Sequence, residues 1–456
     1  MGNPELLSAS DFIEKHAGNI IVNNKIEKST YDKYNVKRGL RNKDGTGVVA
    51  GITHIGNVLG YEMIDGVKTP ATGRLLYRGY ELSDLVHGFL SDDRPGFEET
   101  AYLLMFGELP DRTTLENFRQ ILADYRPLPN GFTEDMILAA PSIDIMNKLA
   151  RSTLALYSYD PSPDPEPGNV QKELNQALHL IARFPVIVAN AMAAKRHYFD
   201  GESLFIHRPN PKLSTAENFL YSVRHDNSFT HEEAQLLDLC LVIHAEHGGG
   251  NNSAFACRVL SSSGTDIYSS IAAAVGALKG PRHGGANMKV MQMFNYIENE
   301  VTNWEDENEI RSYLIKILHH EAADRSGLIY GMGHAIYTLS DPRAVLLKQL
   351  AEKLAEEKGM LKEYDLIQRV EKLTPEIFES GSGIHKTMCA NVDMYSGFVY
   401  KMLGIPTELY TPLFAISRVV GWCSHRLEEV FSDNKIIRPA YKAISPTNDY
   451  IPLNER

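Results

Sequence analysis

The chain has 456 residues, of which 43% are hydrophobic and 23% charged, the balance of an ordinary globular protein. That composition excludes a disordered chain, a fibre and a disulfide-rich miniprotein, and allows two or three domains at ~150 residues each. Lys and Arg number 46 against 58 Asp and Glu, a net charge of −12, which argues against nucleic acid as a partner because no local basic stripe offsets it.

Residues 1–15 carry Glu5, Asp11 and Glu14 and lack an apolar core, so no signal peptide is expected. The longest weakly polar stretch, 271–278, is too short to span a bilayer, and no membrane partner is expected. Cys240, Cys257, Cys389 and Cys423 form no CxxC pair, which fits a reducing, cytoplasmic setting. Residues 47–80 alternate Val, Ile and Tyr with Gly, Asp and Thr, the pattern of short hairpin strands. Beyond about residue 95 helical spacing takes over. It covers 97–106, 113–124, 142–158, 171–196, 231–245, 265–279, 286–299, 306–319, 341–356, 361–372 and 410–431. In 341–356 Asp341-Pro342 supplies a cap and a first-turn proline, and Leu347, Leu350 and Leu354 make one apolar stripe. The proline-rich stretch 160–168 reads as a surface loop. The fold class is mainly α with a small N-terminal β element, and no repeat or composition shift marks a domain boundary.

Histidines gather beside glycines in three places: His244 and His247 in IHAEHGGGNN, His283 in KGPRHGGAN and His334 in IYGMGHAIY. Glycine lets backbone approach a ligand closely, so the repetition points to a site, although polar core histidines would look the same. Metal is disfavoured: His244-Ala-Glu246 gives half of a zinc deaminase signature without its PCxxC half, and HAEH is not HExxH. The chain has no GxSxG elbow and no P-loop, and Gly331-Met332-Gly333 lacks the third glycine of a dinucleotide fingerprint.

Two arginines stand out. Arg343 opposes the dipole in the first turn of its helix and wants an anion, whether a substrate or Asp341. Arg418 lies in FAISRVVGW with Phe414 and Trp422 on its face. A guanidinium there needs a partner, either an internal ion pair or a bound carboxylate. Arg438 in IIRPAY is ambiguous locally. Asp393 in NVDMYSGFVY reads as a helix cap or, if desolvated, a base.

Taken together, IHAEHGGGNNSAFACRVLSSSGTDIYSSIAAAVGALKGPRHGGAN, YGMGHAIYTLSDPRA, NVDMYSGFVYKMLGIP and LFAISRVVGWCSHRLEE followed by IIRP resemble the citrate synthase family. GRLLYRGYELSDL and FEETAYLLMFGELP extend the resemblance, which runs in order over about 73–440. It implies a helical homodimer with a large domain of 1–280 and 405–456 and a smaller domain of 281–404 that closes over the substrates. It also implies metal-free condensation of an acyl-CoA with oxaloacetate, with no separate cofactor. By position, His283 resembles the donor to the thioester oxygen, Asp393 the base and His334 the group that polarises the ketone. His247, Arg343 and Arg418 resemble oxaloacetate contacts, and Arg438 one supplied by the neighbouring subunit. Leu328, Ile329, Tyr330, Gly331, Met332 and Gly333 resemble the segment whose backbone reads the adenine of CoA, and Lys386 a contact to CoA phosphate.

Two positions depart from the family pattern. Thr338 stands where many members carry Lys or Arg against CoA phosphates, and Glu246 stands where Asp is common, an extra methylene expected to matter little. The runner-up activity is 2-methylcitrate synthesis from propionyl-CoA, since one methylene is worth only ~1–3 kcal/mol of discrimination. A catalytically silent oxaloacetate- or CoA-binding protein is the alternative of another class.

Overall fold

A computed structural model describes residues 8–382, 388–432 and 435–455. The chain divides into two units, 51–437 and a second made of 1–50 with 438–456.

The unit of 51–437 is a stack of helices with one small sheet. Strands β1 (Gly56–Ile64), β2 (Val67–Tyr77) and β3 (Tyr80–Glu81) form an antiparallel meander in that order. The expected hairpin is thus present, but regular pairing starts at Gly56 rather than near 47. Helices follow where apolar spacing and caps coincide. Asp341 caps Pro342–Glu357 by accepting from Arg343 N, with the proline in its first turn. Ser214 with Glu217, and Thr230 with Glu233, close reciprocal capping boxes on Thr215–Val223 and His231–His244.

Two long helices organise the core. Val170–Phe199 is long and apolar enough to cross a membrane by composition, a property missed in the sequence, but it is mostly buried within the protein and serves as a core helix. Tyr410–Phe431 packs on it and on His231–His244, Asn252–Ser261 and Ile267–Lys279. One of its buried charges is held by a partner: Arg426 Nη2 meets Glu173 Oε1 at 2.8 Å, in a fork completed by Nε and Oε2. Helix Leu361–Ser382 continues ten residues past its expected end, through Pro375, because Leu373 and Ile377 carry its buried stripe onward.

The second unit holds helix Ala9–Asn24, capped by Ser8, and a short helix Lys28–Lys33. Ile13, Ile20, Ile21 and Val22 are exposed there, as are Tyr441, Tyr450 and Leu453.

Candidate functional site

The His231–His244 helix ends in the HAEH turn. His244 is its last residue, and its ring Nδ1 donates to Cys240 O at 2.8 Å, which leaves Nε2 as an acceptor. Burial pushes the His244 pKa down to about 3, so the ring is neutral. His247 is buried too. Burial, and next Arg343, hold its pKa well below the usual imidazole range, and its Nε2 has no partner among the described residues.

Glu246, between them, is completely buried. Arg258 donates to His425 Nδ1 at 2.7 Å, so the proton of His425 lies on Nε2 and goes to Glu246 Oε1 at 3.0 Å. Burial works to raise the Glu246 pKa, but His425 and Arg418 outweigh it and the carboxyl stays below the ordinary range. Arg258 is held in turn by Glu428 and Glu429.

Arg418 projects from the middle of the Tyr410–Phe431 helix. Its Nε donates to His244 O at 2.6 Å, and its carbon lies 4.7 Å from the centre of the Phe414 ring. Nη1 and Nη2 are buried and have no partner among the described residues. Burial lowers its pKa to about 10, which leaves it charged at neutral pH. A charged fork with two buried, unpaired donor atoms has the geometry to take a carboxylate.

Arg343 settles differently. Its Nε and Nη2 fork onto Asp341 Oδ1 and Oδ2 at 3.0 and 2.7 Å, so the internal ion pair left open by the sequence is what forms. Asp341 Oδ2 also accepts from Val392 N at 3.2 Å, which ties Arg343 to the start of the helix that carries Asp393. Asp393 is not the cap: Val392 holds that place and Asp393 opens the helix Asp393–Met402. Desolvation pushes its carboxyl up to about 6, against the pull of Arg343.

His334 accepts at Nδ1 from Ile336 N (3.1 Å) and Tyr337 N (3.2 Å), so its proton sits on Nε2. Tyr337 stacks on it with centroids 4.7 Å apart, and the His247 ring stands perpendicular at 5.3 Å. The Tyr337 hydroxyl is buried without a partner among the described residues. His283 places Nε2 3.1 Å from Ser253 Oγ, an oxygen that also receives Trp422 Nε1–H at 3.1 Å. Burial brings the His283 pKa down to about 4.

The structure therefore links His247, His334, Arg343 and Arg418, joins Asp393 to them through Asp341, and connects His283 through Ser253 and Trp422. Tyr337, Asp341 and Ser253 were not singled out as site residues. Tyr337 was findable, three residues after His334 in a glycine-rich loop. Within the segment expected at CoA, Gly333 N donates to Cys389 O at 2.8 Å and Gly331 O accepts from Asn391 N at 2.9 Å, so this backbone already pairs with 389–391. Leu328 is exposed, Ile329 buried and Tyr330 half-buried, with its hydroxyl on Asp324. Thr338 Oγ1 donates to Gly60 O at 3.2 Å. Arg438 belongs to the second unit and is exposed there. Lys386 lies outside the described residues. Among the described residues no group of three or more His, Cys, Asp and Glu is placed to hold a metal ion.

Neutral imidazoles, a carboxyl of raised pKa and a buried guanidinium define an enzyme that handles a carboxylate substrate by proton transfer. A family model described as citrate synthase, C-terminal domain, matches residues 44–440. The chain is 36% identical over 391 residues to a citrate synthase of Synechocystis, covering 84% of this chain and 88% of that protein. It is 32% identical over 427 residues to 2-methylcitrate synthase 1 of Corynebacterium glutamicum, covering 92% and 98%. Its fold matches the ternary complex of carboxymethyl coenzyme A and oxaloacetate with citrate synthase from Thermoplasma acidophilum. That match has a TM-score of 0.74 and 27% identity, over 92% of this chain and 99% of that one. The chain belongs to the citrate synthase family.

Proposed function

We propose that this protein condenses acetyl-CoA with oxaloacetate and releases citrate and free CoA. The observation that carries this reading is Arg418: charged, 1% exposed, with two unused donors beside neutral His244 and His247. A small dianion satisfies those donors, and Arg343, held by Asp341, adds positive field without being a free fork.

The residues then act in sequence. Asp393 takes a proton from the α-carbon of the thioester, its raised pKa bringing it closer to that task. A carboxylate alone is too weak, so the enolate oxygen must be stabilised as it forms. His283 supplies that hydrogen bond from Nδ1 when the Ser253 hydroxyl, which meets Asn251 Oδ1 at 2.9 Å, turns its proton to Nε2; Trp422 only donates to that oxygen and does not compete for the proton. The nucleophilic carbon attacks the oxaloacetate ketone, and His334 Nε2–H stabilises the oxygen as the carbon–carbon bond forms. Water then cleaves the thioester to citrate and CoA thiol.

The reading includes CoA along Leu328–Gly333, with Lys386 at its phosphates, and closure of 281–404 over the remainder, which excludes water. It also includes a cytoplasmic homodimer in which Arg438 reaches the neighbouring subunit's substrate. Four unpaired cysteines and the exposed apolar side chains of the second unit support that setting and that partner.

Similarity to 2-methylcitrate synthase 1 favours propionyl-CoA as a second substrate. Thiol release with oxaloacetate, run in parallel on acetyl-CoA and propionyl-CoA, tests both. Release with acetyl-CoA supports citrate synthesis. Faster release with propionyl-CoA transfers the proposal to methylcitrate. Release with neither, in folded protein that binds oxaloacetate, overturns both.

A further inference from the structure

The β1–β2 hairpin contributes no group to the chemistry above, yet its inner face is shaped to two site loops. Strand alternation turns Gly56, Val58 and Gly60 of β1 to one side, and Gly73, Leu75 and Tyr77 of β2 likewise. In β2, Gly73, Leu75 and Tyr77 are buried while Thr72 and Arg74 are exposed.

On that face a side chain at Gly60 would lie 2.6 Å from Ile336 O and 2.9 Å from Tyr337 Cα. One at Gly73 would collide with Ser340 O and come within 2.8 Å of the Tyr337 ring. Gly60 stands at a bulge: the register passes from Leu59 opposite Arg74 to Tyr61 opposite Pro70. Two hydroxyls complete the contact. Thr338 Oγ1 donates to Gly60 O at 3.2 Å, and Gly73 N donates to Ser340 Oγ at 3.1 Å. The same face holds the other loop. Tyr77 OH reaches Glu246 O at 3.2 Å, besides Val242 O at 3.0 Å in the helix before it, and Val58 packs against Gly248.

We propose that the hairpin is a splint that fixes the spacing of the His247 and His334 imidazoles, with Thr338 and Ser340 as its positioning residues. The inference rests on the reading of His334 as the group that polarises the ketone. The mechanical link is short. Ile336 N and Tyr337 N hold His334 Nδ1, so any push on 336–337 moves the ring. Thr338 has its hydroxyl committed to the hairpin.

The test uses the full chain with Thr338→Val, Thr338→Ser and Gly60→Ala. Gly60 has no left-handed φ, so alanine fits the strand and acts only by displacing 336–337. We expect kcat to fall about tenfold for Thr338→Val and about a hundredfold for Gly60→Ala, with smaller changes in the oxaloacetate KM. Thr338→Ser keeps the hydroxyl and should restore turnover. Amide exchange should quicken in 334–340 and stay unchanged in the core helix 267–279. Wild-type kcat and exchange in both Thr338→Val and Gly60→Ala overturn the proposal. If Gly60→Ala also loses protection in 267–279, it has unfolded and Thr338→Val decides. If the wild type itself releases no thiol, the functional reading fails, and exchange in 334–340 still decides the splint.

Discussion

Glu246 fills the space that a side chain on Gly56 would need: a Cβ there would lie 2.7 Å from both Glu246 Cγ and Oε1. On the other side a Cβ on Gly421 would lie 2.5 Å from Glu246 Oε2. The longer arm at 246 is therefore matched to the missing side chain at Gly56, while Gly421 faces Ala245 O at the same 2.5 Å.

This matching predicts a compensating pair. Gly56→Ala should destabilise the fold by ~1–3 kcal/mol through overpacking. Adding Glu246→Asp should return part of that loss, a coupling of roughly 1 kcal/mol in a double-mutant cycle by urea unfolding. Additive effects would sink the packing argument.

Asp393 should set an acid limb. Its carboxyl titrates at about 6, and only the ionised form is a base, so kcat/KM should fall as pH drops below about 6. The stability consequence has the opposite direction. Because the folded pKa lies above the unfolded value, the ionised form is penalised in the folded state above about 6, and the penalty disappears below ~4. Asp393→Asn should therefore stabilise the protein at pH 7–8 by on the order of 2 kcal/mol, fading at pH 4, while abolishing turnover. Thermal melts at the two pH values check it.

Arg418→Met should cost both stability and binding. Arg418 helps hold the buried Glu246 carboxylate ionised and its Nε satisfies His244 O, so an apolar replacement is expected to lower the melting temperature, by up to ~3–5 kcal/mol of stability. Oxaloacetate affinity should drop by ~2–5 kcal/mol in calorimetry. An unchanged dissociation constant would remove Arg418 from the site.

Arg438 is testable by complementation. Arg438→Ala and Asp393→Ala chains should each be inactive as homodimers. Hybrids should recover activity, because one site per hybrid combines an intact Asp393 with an intact Arg438 of the partner subunit. Failure of every hybrid, with dimers verified, would count against a shared site.

Much of the fold was legible because local and tertiary signals agreed. The helix at 410–431 was found to the residue, since its apolar stripe and its bounds coincide. Thr215–Val223 was missed because nine residues give too little periodicity, although Ser214 and Glu217 spelled its capping box. The site was legible as residue types but not as partnerships. Asp341, two residues from Arg343, was already a candidate partner, but nothing local told that Arg418 would keep its fork open, because that depends on its Nε meeting the His244 carbonyl 174 residues away. Asp393 looked like a cap because an aspartate at a helix start usually is one. Asn391 Oδ1 instead accepts from its backbone N–H, leaving the Asp393 carboxyl to the pocket.

The Ser253 hydroxyl joins an indole to the His283 imidazole, and the chain has only two tryptophans, Trp304 and Trp422. Trp304 bonds to Val301 O, away from that contact. The protein thus carries its own optical gauge: with Trp304 replaced by Phe, emission from Trp422 alone should report occupancy at His283 without label or turnover.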